Sequence, residues 1–237
     1  MEITKDIQII DLALYINKSN TLIIADTHIG YEEALNKQGI LIPRFQFKEI
    51  IERLENILKK ATNNKKTKLN QIIINGDIKH EFGTISEQEW RHTLRLLDFL
   101  AKHCKEIILI KGNHDTILGP IAEKRKVKVK DEHRIDNTLI IHGDKIPKKL
   151  EKTIIIAHEH PAITLRDNLK TEKVKCFLKG KYKKNTLIVQ PSFNFVTEGT
   201  DVLKEKLLSP FLKQNLKDFN CYVIADKIYN FGKLNNL

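Results

Sequence analysis

The chain has 237 residues, of which 41% are hydrophobic, and no apolar run reaches the length of a membrane span, so its composition excludes a disordered or membrane-spanning chain. Three scattered cysteines, Cys104, Cys176 and Cys221, exclude a disulfide framework, and with an N-terminus lacking a signal-peptide pattern they indicate a cytoplasmic protein. The formal charge of +11 leaves two explanations open, a polyanionic partner such as nucleic acid or lysines that only solvate the surface.

Apolar runs bounded by turn residues predict nine strands. They cover residues 7–16, 21–26, 71–76, 106–112, 125–130, 137–143, 152–158, 186–191 and 221–231. The polar turn NKSN joins the first two, which are expected to form a hairpin. The alternating sequence RKVKVK at 125–130 is typical of an edge strand.

Two helices are predicted between these strands. Apolar residues at helical spacing predict the first over 47–61. The second covers 86–103 and begins with a capping box made by Ser86 and Glu89. Strands separated by helices and followed by strands in succession indicate an α/β fold with layered mixed sheets. With no Gly-, Pro- or Ser-rich linker, repeat or low-complexity tract, we expect a single domain over 1–237.

Five of the predicted strands end in Asp, Asn or His side chains. These residues are Asp26 and His28, Asp77 and His80, Asn113, His114 and Asp115, His142 and Asp144, and His158 and His160. Because loops at the carboxyl ends of strands converge on one crevice, the pattern predicts a shared site. Each motif alone is common, but five together indicate a metal site. This ligand set suits Mn²⁺, Fe or Zn²⁺ rather than a thiolate-bound metal.

Other hydrolytic motifs are missing from the sequence. HEHPA differs from the metalloprotease pattern H-E-x-x-H, and Pro161 opposes the helix that this pattern needs. Neither a G-x-S-x-G nucleophile elbow nor a phosphate-binding P-loop occurs. A barrel amidohydrolase would open with His-x-His on its first strand, whereas the first strand-end motif here is Asp26-x-His28.

The strand-end motifs have a recognisable order, Asp26-x-His28, Gly76-Asp77, Gly112-Asn113-His114-Asp115, His142 and His158-x-His160. This order resembles the calcineurin-like metallophosphoesterase superfamily. GDIKHEFG at 76–83, FLKGKY and LIVQPSFN resemble one branch of it, the archaeal phosphoesterases related to the SbcD nuclease and the ligase-associated DNA-damage-response endonuclease. The resemblance implies an α/β four-layer sandwich of two mixed β-sheets flanked by helices, and a role in DNA repair.

The resemblance also implies two sets of metal ligands and one bridging carboxylate. It assigns Asp26, His28 and His160 to the first ion, Asn113, His142 and His158 to the second, and Asp77 to both. The cofactor is then two divalent metal ions, expected to be Mn²⁺ with Fe, Ni or Zn as alternatives. Two such cations neutralise phosphate oxygens and lower the pKa of a shared water, so that a metal-bound hydroxide attacks the phosphodiester. Glu159, between the last two histidines, is expected to point away.

The remaining site residues have proposed roles beside the metals. His114 is the candidate for protonating or stabilising the leaving alkoxide, with Asp115 orienting its ring and raising its pKa. His80 is placed either against substrate phosphate, beside the metal ligands or on the surface. Arg44 is a second candidate for substrate contact. The basic stretch 166–185 fits either a nucleic-acid groove or a solvated face.

Three functions remain open on the sequence. The first is a metal-dependent phosphodiesterase, a nuclease-like enzyme acting on DNA or RNA. The second is a small-molecule phosphodiesterase, for example on a cyclic nucleotide, or a phosphatase. The third is a non-catalytic scaffold on the same fold, which the presence of His114 disfavours. The oligomeric state is not determined by the sequence.

Overall fold

Two mixed β-sheets face each other in the computed structural model, which describes residues 1–65, 67–82, 85–116, 118–167 and 170–237. Gly83 of the GDIKHEFG segment and residues 168–169 of the basic stretch lie outside the described residues. The fold is mixed α/β, and the predicted fold class is confirmed.

The first sheet contains seven strands in sequential order. They are β1 (Glu2–Thr4), β2 (Ile7–Ile10), β3 (Ala13–Ile16), β4 (Thr21–Ala25), β5 (Leu69–Asn75), β6 (Cys104–Ile110) and β7 (Lys128–Lys130). Strands β1 to β4 are antiparallel, and β4 to β7 are parallel. The described residues include four α-helices, all in this half of the molecule: α1 (Tyr31–Lys37), α2 (Gln46–Ala61), α3 (Glu87–Ala101) and α4 (Gly119–Arg125). In the described part of the chain, no helix is long and apolar enough to cross a bilayer.

The second sheet contains the remaining nine strands. They are β8 (Glu132–Ile135), β9 (Thr138–Ile141), β10 (Thr153–Ile156), β11 (Pro161–Asp167), β12 (Lys170–Tyr182), β13 (Asn185–Val189), β14 (Thr200–Asp201), β15 (Asn220–Ile224) and β16 (Ile228–Lys233). Its main path is β14-β11-β12-β13-β10-β9-β8, and β15 pairs with β12 and β16. The core strands β9, β10 and β13 are parallel.

Alternation along the second sheet divides its apolar side chains between two faces. Ile155, Ile188 and Phe177 pack with the first sheet in one core cluster. Their neighbours in sequence, such as Ile154 and Cys176, face the other way and pack with Phe211 in a second cluster. The outer face of this sheet is therefore covered by the segment around Phe211, whose helical part is the 3₁₀ turn Pro210–Leu212.

The predicted helices are confirmed, but two predicted strands are each two strands. The capping box of Ser86 and Glu89 opens α3 as expected. The predicted strand 7–16 is broken at Asp11, which has a φ of 56° and joins β2 to β3 in a tight turn. The predicted strand 221–231 is the hairpin of β15 and β16. In both places a short turn without glycine or proline interrupts an apolar run.

The basic stretch contains the largest element that the sequence did not predict. Residues 170–182 form β12, which pairs with β11 over its first part and with β13 and β15 over its second. Lysines at alternating positions obscure the apolar period on which strand prediction depends. Helices α1 and α4, of 7 residues each, were also not predicted because they are too short to show a clear period.

The packing between the sheets predicts a large cost for truncating Ile155, which is fully buried. We expect Ile155→Ala to lower the free energy of unfolding by about 2–5 kcal/mol, because it removes three buried carbons and leaves a cavity. Val129→Ala on the edge strand, where the side chain is 37% exposed, should cost less than about 1 kcal/mol. Urea denaturation of both variants measures the difference. Equal costs would show that Ile155 is not in a close-packed core.

Candidate metal centre

The carboxyl ends of five strands bring the predicted ligands to one place between the sheets. β4, β5 and β6 of the first sheet and β9 and β10 of the second all end at this edge. The residues delivered there are Asp26, His28, Asp77, Asn113, His142, His158 and His160. Parallel strands that carry polar residues just past their ends account for this convergence.

One group of side chains consists of Asp26, His28 and His160. The His160 Nε2 lies 3.2 Å from the Asp26 Oδ2 and 3.2 Å from the His28 Nε2. One potential ligand atom from each residue lies within 4.8 Å of the others. This is the set that the sequence assigned to the first ion.

A second group is built around the Nε2 of His142. The Asn113 Oδ1 lies 2.9 Å from this atom, and the His158 Nδ1 lies 3.1 Å from it. The His158 side chain therefore presents its Nδ1 here, while His160, two residues later, presents its Nε2 to the first group. The two histidines of HEH therefore lie in different groups of side chains.

The carboxylate of Asp77 lies between the two groups. Its Oδ2 is 3.9 Å from the His28 Nε2 of the first group and 3.7 Å from the His142 Nε2 of the second. Its Oδ1 accepts a hydrogen bond of 2.8 Å from the backbone N–H of His114. This placement fits a bridging carboxylate.

The donor set fits divalent cations. Burial lowers the pKa of His28 and His158, and lowers that of His142 to about 4, so these imidazoles are neutral near pH 7 and present lone pairs. Burial, followed by the charges of Asp26 and Asp115, raises the pKa of Asp77 to about 9. Cations at the centre would offset this crowding of carboxylates. Asp26, His28, Asp77, Asn113, His142, His158 and His160 would hold them.

Asp26 is held by both sheets. Its Oδ1 accepts the N–H of Asp77 at 3.1 Å, and its Oδ2 accepts the N–H of His158 at 2.9 Å. Burial opposes ionisation of this carboxyl, but the imidazoles of His160 and its neighbours outweigh burial and lower its pKa. The side chain is therefore a carboxylate that also fixes the backbones of two other ligands.

Four ligand residues have left-handed backbones. Asp26, His28, His158 and His160 have φ values of 46°, 41°, 64° and 50°. Such conformations are uncommon for residues other than glycine and cluster at functional sites. These four residues therefore lie in tight turns just past the strand ends and not in regular strand.

His114 lies beside the bridging carboxylate. Its Nε2 is 3.8 Å from the Asp77 Oδ2, and its Nδ1–H donates to the backbone carbonyl of His80. The exposed ring of Phe82 covers its other side at a centroid distance of 3.6 Å. Burial lowers the pKa of His114, although the bond to the His80 carbonyl opposes the shift. The expected rise in this pKa is not found.

Asp115 does not contact the ring of His114. Its buried carboxylate accepts hydrogen bonds from the backbone N–H groups of Gly112, Ile78 and Lys79. The expectation that it orients the His114 ring is therefore wrong. These hydrogen bonds instead join the loop after β6 to the loop after β5. They also satisfy backbone donors of these loops that have no partner in the sheet.

His80 lies within the site, and Arg44 does not join it. The His80 ring stacks on Tyr31 at 4.0 Å and lies 5.6 Å from the His28 ring. One nitrogen from each of His28, His80 and His114 falls within 4.8 Å of the others. Arg44 is exposed in the loop before α2.

Three buried charged residues that the sequence did not assign support the site. The fully buried Lys79 donates from Nζ to the carbonyl oxygens of His114 and Glu81. Glu89 accepts the N–H groups of His80, Glu81 and Ser86. The carboxylate of Glu159 accepts the N–H groups of Leu208 and Ser209, in the segment that covers the outer face of the second sheet. Of these three residues, the sequence signals only Glu89, through its capping box with Ser86. Side-chain bonds to backbone atoms far along the chain leave no pattern in the sequence.

Comparisons with known proteins identify the family. The profile described as "Calcineurin-like phosphoesterase" matches residues 19–225. The chain belongs to this family of metal-dependent phosphoesterases. None of the curated proteins matches it at a significant level.

The chain is also similar to solved structures. The structure titled "Pseudomonas putida nuclease MPE" is 21% identical, with a TM-score of 0.64, and the match covers 93% of this chain and 92% of that one. At this identity the match shows the shared fold. Vacuolar Protein Sorting 29 from Cryptosporidium parvum is 16% identical, with a TM-score of 0.37 and coverage of 90% and 97%.

Close packing at Gly76 predicts a sharp contrast between two glycine substitutions. Gly76 and Gly39 have φ values of 92° and 86°, so Gly→Ala costs about 1–2 kcal/mol of backbone strain at either one. At Gly76 the new Cβ would also overlap the His142 Nδ1 and the Asp26 Oδ1, whereas nothing lies within 4 Å at Gly39. We expect Gly76→Ala to weaken Mn²⁺ binding about 10- to 100-fold and Gly39→Ala to leave it unchanged. Titration calorimetry with Mn²⁺ measures both, and equal affinities would contradict the geometry.

Proposed function

We propose that the chain is a binuclear metal-dependent phosphodiesterase that hydrolyses DNA or RNA. The observation that carries the proposal is the position of the Asp77 Oδ2, within 4 Å of a histidine nitrogen in each of the two ligand groups. A single carboxylate so placed can bind two cations at once. Membership of the phosphoesterase family supports the reaction class.

The metals proposed are two Mn²⁺ ions, with Fe, Ni or Zn as alternatives. When bound, two divalent cations would neutralise the phosphate oxygens and supply a nucleophile from water at neutral pH. The neutral Asn113 ligand limits the negative charge around them to Asp26 and Asp77. The centre then keeps a net positive charge toward an anionic diester.

His114 is proposed as the residue that acts on the leaving group. Because its Nδ1–H donates to the His80 carbonyl, a proton for the leaving group is carried on Nε2 only in the imidazolium form of His114, and this Nε2 lies 3.8 Å from the Asp77 Oδ2. The Lys79 ammonium holds the His114 carbonyl and so fixes the backbone of this histidine. A protonated Nε2 donates to the departing alkoxide or to a phosphate oxygen.

Two features favour nucleic acid over a small-molecule diester. The net charge of +11 suits a polyanion. The solved structure with the highest TM-score given above carries the word nuclease in its title. We extend the proposal to a cytoplasmic DNA-repair role and to one domain over 1–237, the latter because a single core cluster contains residues of both sheets.

Three substrates separate the candidate functions. With Mn²⁺ supplied, we expect hydrolysis of a bis-aryl phosphate diester and of single-stranded DNA or RNA, and weak hydrolysis of an aryl monoester. Diester cleavage without nucleic-acid cleavage would favour a small-molecule phosphodiesterase. Bound metal without hydrolysis of any ester would contradict both enzymatic functions and favour a scaffold.

The role of His114 predicts a variant that binds metal but turns over slowly. We expect His114→Ala to lower kcat on the bis-aryl diester by about 10²- to 10⁴-fold, because the leaving alkoxide loses its proton donor. The metal content, measured by inductively coupled plasma mass spectrometry, should stay at two ions per chain. His103→Ala controls for the loss of an imidazole, because His103 is a partly buried histidine at the amino end of β6, opposite to the end that carries the site. An unchanged kcat in His114→Ala would contradict the assigned role.

A further inference from the structure

Lys175 is a lysine of the second sheet whose side chain faces the first sheet. It lies in β12 two residues before Phe177, which packs between the sheets, while Cys176 faces the outer layer. Alternation therefore places Lys175 on the inner face with Phe177. In the register of β11 and β12 it lies opposite Ala162, two residues after the candidate ligand His160.

The ammonium of Lys175 has one neutral partner. Its Nζ donates a hydrogen bond of 2.7 Å to the Oγ of the buried Ser192. The next residue, Phe193, donates its N–H to the carbonyl of Ala25, directly before Asp26. The Lys175–Ser192 pair is thereby joined to the strand end that carries the first metal ligand.

No carboxylate forms an ion pair with Lys175 within the described ranges. Lys173, on the same face of β12, differs because its Nζ is paired with Glu205. Arg53, whose charge acts on Lys175, is also paired, since its guanidinium binds both carboxylate oxygens of Asp11. Lys175 is thus a partly buried cation with two donors to spare, and the Ser192 hydroxyl still has its own proton to donate.

The surroundings of Lys175 favour an anion. Burial lowers its pKa to about 7, and the charge of Arg53 acts in the same direction. Asp26 and Glu198 oppose the shift without forming an ion pair. An ammonium withdrawn from water with one neutral hydrogen bond is poorly compensated, and an anion bound beside it restores the lost solvation.

We propose that Lys175 and Ser192 form a subsite for a second phosphate group of the substrate, next to the phosphate that is cleaved. The ammonium and the hydroxyl supply charge-assisted and neutral hydrogen bonds to its oxygens. A nucleic-acid strand carries further phosphates on either side of the scissile one, whereas a simple diester has only the reacting phosphate. This inference rests on the proposed function for its substrate, and it makes the enzyme selective for oligonucleotides.

Short thymidine substrates test the subsite through kinetics. The dinucleotide TpT carries only the scissile phosphate. The substrate pTpT adds one phosphate at the 5′ end, and TpTp adds one at the 3′ end. We expect one of the added phosphates to raise kcat/KM about 10- to 100-fold in the unaltered protein. Lys175→Met should remove that gain, Lys175→Arg should keep part of it, and Lys173→Met should keep all of it.

Two kinetic results would overturn the proposal. The first is a gain that persists in Lys175→Met. The second is an equal loss of kcat/KM on TpT and on the phosphorylated substrates, which would mean that Lys175 serves the scissile phosphate or only the fold. Ser192→Ala, expected to reduce the gain less than Lys175→Met, provides a second variant if the first unfolds.

Binding without turnover separates this inference from the proposed function. Calorimetry of the full chain with thymidine 5′-monophosphate and thymidine 3′,5′-bisphosphate should show tighter binding of the bisphosphate, lost in Lys175→Met and kept in Lys173→Met. If TpT is not hydrolysed but this difference is found, the subsite stands and the nuclease function fails. Equal affinities of the two nucleotides in the unaltered protein would overturn the subsite.

Discussion

The carboxylate of Asp26 is the contact on which the rest of the site depends. One of its oxygens accepts the amide of Asp77 from the first sheet, and the other accepts the amide of His158 from the second. Both oxygens also face histidine nitrogens, at 3.4 Å for His142 and 3.2 Å for His160. The same side chain thus fixes how the two sheets meet and where the ligands converge. Removing it would leave two amides and several imidazoles without their common acceptor.

The site concentrates strained backbone conformations and close contacts at glycines. Four ligand residues have left-handed backbones, and Gly76 and Gly112 lie where any Cβ would overlap Asp26 or Asp77. The isoleucine-rich strands on both sides hold this arrangement in place, since they leave the loops little freedom. Buried residues such as Lys79 and Glu89 add to this rigidity by bonding backbone atoms of the same loops, which keeps the ligand atoms close together.

The sequence predicted those parts of the molecule that depend on local pattern. Strand ends with Asp26, Asp77 or His158 were predictable because apolar runs and polar residues alternate visibly along the chain, and α3 was predictable because its capping box is local. Contacts between distant segments were not. The carboxylate of Asp115 binds the backbone of the preceding loop, which no spacing indicates. The strand β12 was hidden by its lysines, and with it the inward position of Lys175.

The central claim is that two metal ions share the carboxylate of Asp77, and anomalous diffraction tests it most directly. Crystals grown with Mn²⁺ and measured at the manganese absorption edge should show two peaks about 3.5–4 Å apart. One peak should lie beside His28 and His160, the other beside His142 and His158, with Asp77 between them. A single peak, or two peaks that do not both contact Asp77, would contradict the account.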